Sequence, residues 1–353
     1  MTDRQTDLTE HFEKNEMISP VQFGCRKYHS TTHALTYIND FILNKLDNKQ
    51  FCILVALDIR KAFDIACRDL LIHKLKWYGV NCEVLNSFLK DRTQYVCNCG
   101  DDGKLLKSAM LDTNVGIPQG LCLSCWLFLI IMNDLPLHVR YALIAMFVDD
   151  TSLICAGCIE DVDIVIQGIE ADLNSIVLWM NNNRLQLNAS KCEYMVLSKE
   201  CLKDRLSCVS ISMNGSQLKR TSVIKMLGVT IDDKLAYDKH TAIVQAKCYG
   251  VLSSLYPLKN VLSYDNKTMV VKALIFPIFM YACSTWLLRD SNRKVIDRII
   301  KSCARFVANT RKGDPISDLL NITLNGCLLA TFVILKLLRW HIKLLLEDAH
   351  LYL

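Results

Sequence analysis

Three things are missing from this 353-residue sequence. It has no low-complexity segment and no evident internal repeat. What remains is an ordinary globular composition, 51% hydrophobic, long enough for two or three domains and a sizeable core. The opening stretch "MTDRQTDLTEHFEKNE" has no apolar segment of the kind a signal peptide carries. The expectation is an intracellular chain, nuclear or cytoplasmic, that is not secreted. Long apolar runs are also scarce. "LCLSCWLFLIIM" (121–132) is too short to span a bilayer. "ALIFPIFMYACSTWLL" (273–288) holds a proline and ends at Arg289, so a buried helix is expected there and no membrane span.

Cysteine, by contrast, is plentiful. With no export signal, the 17 cysteines are expected to be reduced thiols. Cys122 with Cys125 and Cys155 with Cys158 have C-x-x-C spacing, which zinc sites use. The first pair lies in an apolar helical run and the second follows a strand, so both read as thiols in place of small hydrophobes. The net charge of +5 hides an asymmetry: residues 1–200 carry a net −6 and residues 201–353 a net +11. A basic half points to a polyanionic partner, usually nucleic acid.

Along the chain, "FCILVALDI" (51–59) reads as a buried strand ending near Asp58. "RDLLIHKLKWYGV" (68–80) and "EVLNSFLKDR" (83–92) have helical spacing. "GDDG" (100–103) marks a hairpin between "TQYVCNC" and "KSAMLDTNVGIPQG". A helix is expected over 121–135, two strands in "YALIAMF" and "TSLICAG", and a long amphipathic helix over 161–188. "CEYMVLS", "CVSISMNG" and "IKMLGVTID" read as further strands, and from about Tyr237 the pattern is almost wholly helical. The order is α+β followed by all-α, with a boundary near residue 235.

Asp149 and Asp150 interrupt the apolar stretch "ALIAMFVDDTSLICAG" (142–157). Buried charge is costly unless paired or bound to a metal. At a tight turn both carboxylates can approach one point, and Asp58, closing an earlier buried strand, can join them. Three such carboxylates repel and raise their own pKa values. Divalent cations with hard oxygen ligands remove that conflict, and two of them suit an in-line phosphoryl displacement.

"ALDIRKAFD" (56–64), "GIPQG" (116–120), "FVDD" (147–150), "LNASK" (187–191) and "LGV" (227–229) occur in that order. Together they resemble the reverse transcriptase of non-LTR (LINE-type) retrotransposons, especially jockey-like elements. "QFGCRKYHSTTHAL" (22–35) is similar to the segment before that family's first palm motif, and "HTAIVQAKCYGVLSSL" with 273–288 to the region after the palm.

The resemblance implies a right-hand polymerase. Partial fingers would occupy 1–50, a palm of antiparallel sheet with helices 51–235, and a helical thumb-like region 236–353. It implies RNA-directed DNA polymerase activity with an RNA template, a DNA primer, deoxynucleoside triphosphates and two Mg²⁺ ions, or Mn²⁺.

Asp58, Asp149 and Asp150 match the family's metal-binding carboxylates, and the Ile59 carbonyl would complete one site. Phe63 matches an aromatic that excludes a ribose 2′-hydroxyl. Gln119 matches an amide that contacts nucleotide or template, with Gly116 and Gly120 permitting close backbone approach. Lys191 matches a lysine proposed to protonate the leaving pyrophosphate. Arg60 and Lys61 would offer backbone N–H groups, and charge, to the triphosphate. Leu227 and Gly228 match the hairpin that holds the primer end.

Some positions depart from the pattern. Leu121 and Cys125 stand where serine and proline are usual, and Cys25 where an aromatic is usual. Further basic finger motifs, an endonuclease domain and a cysteine-rich C-terminal motif are not in the sequence. The expectation is an N-terminally truncated polymerase domain that extends primers weakly or not at all, with Arg26 and Lys27 substituting in part for the missing cations. The reading from another class is a catalytically inactive relic that binds nucleic acid through its basic half.

Overall fold

The computed structural model describes residues 2–100, 103–120, 122–311 and 314. The chain forms two compact units, each assembled from three separate stretches. The first comprises Met1–Ser30, Ile53–Tyr194 and Ser207–Arg220; the second Thr31–Cys52, Met195–Leu206 and Thr221–Leu353.

A five-stranded sheet lies mainly in the first unit, in the order β11-β8-β1-β7-β6. Its strands are β1 (Phe51–Leu57), β6 (Leu143–Phe147), β7 (Asp150–Gly157), β8 (Glu193–Leu197) and β11 (Lys219–Arg220). β1 is a continuous apolar run because both its faces are covered: Phe51 to Val55 are completely buried, and in β7 so are Leu153 and Ile154. β6 and β7 pair antiparallel with Phe147 opposite Asp150. At the far edge β11 runs parallel to β8, so the sheet is mixed.

Helices cover this sheet: α1 (Thr2–Lys14), α3 (Ala62–Ile65), α4 (Arg68–Trp77), α5 (Glu83–Leu89), α6 (Cys122–Met132) and α7 (Val162–Asn182). α7 turns Ile169, Leu173, Ile176 and Met180 inward at helical spacing. Its buried Asp172 accepts the backbone N–H groups of Arg140, Tyr141 and Ala142 at 2.7–2.9 Å, which fixes the approach to β6.

The expected helix over 161–188 therefore ends six residues early. Arg184 takes a left-handed φ of 57°, and residues beyond it pair with the end of β1 instead. The expected hairpin around "GDDG" is a ribbon of two short ladders: β2 (Arg92–Gln94) with β5 (Leu111–Thr113), and β3 (Cys97–Cys99) with β4 (Leu105–Lys107). Asp101 and Asp102 lie outside the described residues, as does Leu121. A small hairpin, β9 (Ser212–Met213) and β10 (Ser216–Gln217), precedes β11.

Among its described residues the second unit holds α2 (Thr31–Asp47), a hairpin of β12 (Val223–Met226) and β13 (Val229–Asp232), and five further α-helices. These are α8 (Asp238–Leu255), α9 (Tyr264–Leu274), α10 (Phe276–Met280), α11 (Cys283–Trp286) and α12 (Asp290–Ala308). The single buried helix expected over 273–288 is instead three pieces. Pro277 restarts the helix at α10, and Ala282, at φ 47°, bends the chain into α11. Among the described residues no helix is long and apolar enough to cross a membrane.

Asn39 of α2 ties this unit together. Its amide donates to the Thr285 carbonyl at 3.0 Å and accepts the Tyr237 hydroxyl at 2.7 Å. The expected helical tail beyond residue 314 lies outside the described residues.

Candidate active site

Asp58 follows the last residue of β1, and Asp149 and Asp150 lie at the β6–β7 turn. Because β1 and β7 are sheet neighbours, the three carboxylates share one electrostatic environment although Asp58 lies far away in sequence. Asp149 is half-buried, and desolvation chiefly raises its pKa, with the Asp58 charge adding and backbone N–H groups opposing. Asp150 is shifted the same way by desolvation, then by Asp149 and Asp58. Its side chain faces solvent, so Asp149 is the more informative of the two.

The segment after α7 wraps the other side of Asp58. Asn188 donates its backbone N–H to the Asp58 carbonyl at 2.8 Å, Ile59 bridges Leu187, and the Asp58 N–H points at the Cys192 sulfur at 3.4 Å. This brings Lys191 Nζ to 3.9 Å from Asp58 Oδ2. Lys191 is 68% exposed, so the pair is worth little to stability and leaves the ammonium free to move. The Arg60 backbone N–H, expected to face a triphosphate, instead donates to the Gln186 carbonyl at 2.8 Å. Lys61 remains exposed at φ 46°, opening α3.

Phe63 on α3 is half-buried and stacks on the fully buried Phe128 of α6, with centroids 4.8 Å apart and rings 27° from parallel. Gln119 is exposed, and its amide donates to Asp64 Oδ1 at 2.9 Å. Gly116, at φ 86°, sits so close to α3 that a Cβ would lie 2.6 Å from the Asp64 carbonyl oxygen. Arg68 holds that loop by donating to the carbonyls of Gly116, Leu89, Thr113 and Val115. Gly120, also at positive φ, faces open space.

Sequence reasoning gave no role to several residues that brace these groups. Gln22 and Gly24 close around Val148, and Phe128 backs Phe63; Gln22 and Gly24 lie in a recognisable segment, but these roles act through packing against a distant stretch that the local sequence does not record. The Arg26 guanidinium, expected to help bind a triphosphate, pairs with Glu13 at 2.8 Å and donates to the carbonyls of Ser19 and Gln22. Only 11% of its side chain is exposed, so its charge is already spent. Lys27 is exposed. The departures Cys25 and Cys125 are neighbours: burial, and then the Cys125 thiol beside it, push the Cys25 thiol up to about 12.

Leu227 and Gly228 form the β12–β13 turn in the second unit, both at positive φ. The Tyr281 hydroxyl donates to the Leu227 carbonyl at 2.7 Å, and its ring lies against Gly228.

A family model described as "Reverse transcriptase (RNA-dependent DNA polymerase)" matches residues 4–231. The chain belongs to the reverse transcriptase family. The RNA-directed DNA polymerase from mobile element jockey of Drosophila melanogaster is 29% identical over 76% of this chain and 30% of its own length. The probable RNA-directed DNA polymerase from transposon BS of the same organism is 26% identical over 86% of this chain and 35% of its own. That from transposon X-element is 27% identical over 82% and 32%. The chain is thus similar to the polymerases of jockey and related mobile elements, and it spans about a third of the length of these curated relatives. Among solved structures, telomerase from Candida albicans is similar at 14% identity over 90% of this chain and 52% of that one, with a TM-score of 0.34.

Reverse transcriptases generally use divalent metal ions. Among the described residues, no group of three His, Cys, Asp or Glu side chains is gathered closely enough to hold one as it stands. The chemistry of the donor set nevertheless fits a hard cation: three carboxylates, two of which have their pKa raised first by burial and then by neighbouring carboxylate charge.

Proposed function

We propose that this domain is an RNA-directed DNA polymerase, joining deoxynucleotides to a DNA primer on an RNA template. What supports the reading is that Asp58, at the end of β1, lies near enough to Asp149 and Asp150 on the neighbouring strand's turn for its charge to raise both their pKa values. With the Ile59 carbonyl, these groups would hold Mg²⁺ or Mn²⁺, two ions in all. Bound there, such ions supply the charge neutralisation that phosphoryl transfer needs.

The chain's own residues have further roles in this proposal. The Phe63 ring, braced by Phe128, blocks a ribose 2′-hydroxyl. Lys191 donates a proton, or positive charge, to the departing pyrophosphate, and its exposed ammonium beside Asp58 suits that task. Gln119, tied to Asp64, and Gly120 face nucleotide or template; Lys61 offers charge. Leu227 and Gly228 hold the primer end. The division into partial fingers (1–50), palm (51–235) and thumb-like region (from 236) is part of the same proposal.

The test is primer extension on an RNA template with Mg²⁺ and deoxynucleotides, beside Asp149→Asn. We expect slow extension, reduced at least about a hundredfold by the substitution, as for loss of one charge-stabilising group. Equal extension by the variant would overturn the assignment of the site. A second reading, an inactive relic that binds nucleic acid, is favoured by one observation: Arg26, the cation expected to assist the triphosphate, is consumed by Glu13. Duplex binding without extension in either protein would establish it.

A further inference from the structure

Val148 is the least comfortable residue of the catalytic turn. It is β-branched, yet it takes φ 61°, a left-handed conformation that L-residues avoid and β-branched ones rarely adopt. Such a conformation persists only where its surroundings over-determine it. Here the surroundings are a segment from the other end of the unit's sequence.

Gln22 is 1% exposed, and its side-chain oxygen accepts two backbone N–H groups at 2.9 Å, those of Val148 and Gly24. Its amide nitrogen reaches the Val148 carbonyl at 3.4 Å. Both polar groups of the strained residue are thus met by one side chain. The flanking backbone is pinned as well: Phe23 donates to the Met146 carbonyl at 2.8 Å, and Met146 donates to that of Val21 at 2.9 Å. Gly24 completes the cradle, for a Cβ there would lie 2.5 Å from the Val148 nitrogen.

We infer that Gln22 is a positioning residue for the catalytic carboxylates: it holds Val148 left-handed and thereby aims Asp149. Released from the clamp, Val148 would relax to negative φ, and the next side chain would swing away from Asp58. The catalytic consequence rests on the polymerase reading above; the clamp itself does not.

The full chain serves for the test. Gln22→Met keeps the side-chain volume and removes the side chain's three hydrogen bonds. The first readout is amide hydrogen exchange at Val148 and Gly24, expected to quicken at least about tenfold. The second is Mn²⁺ affinity followed by the paramagnetic resonance of the free ion, expected to fall at least about tenfold with Asp149→Asn as reference. The deciding variant adds Val148→Gly, since glycine adopts positive φ without strain.

If Gln22 works by imposing that conformation, Gln22→Met lowers the melting temperature less in the Val148→Gly background, and Mn²⁺ affinity recovers. If Gln22 is merely a buried polar group, its loss costs the same in both backgrounds and affinity stays low; that result overturns the inference. Should wild type and Asp149→Asn bind Mn²⁺ equally, the metal-site reading fails. The exchange rates and melting temperatures then still decide whether the clamp exists.

Discussion

Phe63 is held on its inner face by a ring that is itself completely buried, so its position is a property of two residues. Replacing Phe63 by valine should open the space a 2′-hydroxyl needs. We expect ribonucleotide incorporation relative to deoxynucleotide to rise about tenfold or more, the order a small volume change in a pocket achieves. Phe128→Leu should produce a smaller rise by loosening the ring. Single-nucleotide extension with each sugar measures both, and unchanged discrimination in Phe63→Val removes the steric role.

Asp149 carries an opposite pair of expectations. Its pKa is raised by burial and by Asp58, so ionising it destabilises the metal-free fold. Asp149→Asn should therefore melt higher than wild type at neutral pH while losing extension, and calorimetry without divalent cations checks it. His240 shows the converse for a base. It is buried, its Nδ1 accepts the Thr230 N–H at 3.3 Å, and desolvation, helped by Lys247, lowers its pKa to about 4. Its stabilising contribution is full above the unfolded value of about 6.5 and is lost as pH falls toward 4, on the order of 3 kcal/mol in all. Urea titrations at pH 7 and pH 5 should show a steeper loss in wild type than in His240→Gln.

At the scale of elements, sequence reading succeeded where the signal is local. β1 announces itself by an unbroken apolar run, the β6–β7 hairpin by two strands flanking a turn, and α4 by its spacing and the glycine behind it. The carboxylates were legible because their motifs come in a fixed order. Reading failed where a distant partner decides. α7 has helical periodicity past residue 182, but pairing of Leu187 with Ile59 overrides it. The run 273–288 is apolar enough for one helix, yet Pro277 and Ala282 divide it. Gln22 lies 126 positions from the residue it holds, and nothing in its immediate neighbourhood records that. Gly116 reads as a glycine that lets the backbone approach a ligand, not as one pressed against α3. We expect Gly116→Ala to cost about 1–3 kcal/mol, the scale of a strained backbone position, measured by urea unfolding.

For the whole molecule, the charge asymmetry gives an expectation about salt. α12 buries Ile296, Ile299, Ile300 and Phe306 on one side and exposes Lys294, Arg298 and Lys301 on the other. A template–primer duplex bound through such a face should show log affinity falling linearly with log salt. Lys294→Glu with Arg298→Glu should weaken binding to all sequences alike and flatten the slope by about one for each phosphate that is no longer neutralised. A slope untouched by these changes would mean that the stripe is only solvated surface.

The interleaving of the two units also sets a timetable for the newborn chain. α2 emerges early, with Leu35, Ile38 and Ile42 on its apolar side. The residue that Asn39 grips, Thr285, lies 246 positions further on. At about 5–20 residues per second the ribosome needs roughly 12–50 s to deliver it. During that interval Asn39 has no Thr285 carbonyl to donate to, so this bond is among the last contacts of the second unit to be made, whatever order the rest follow.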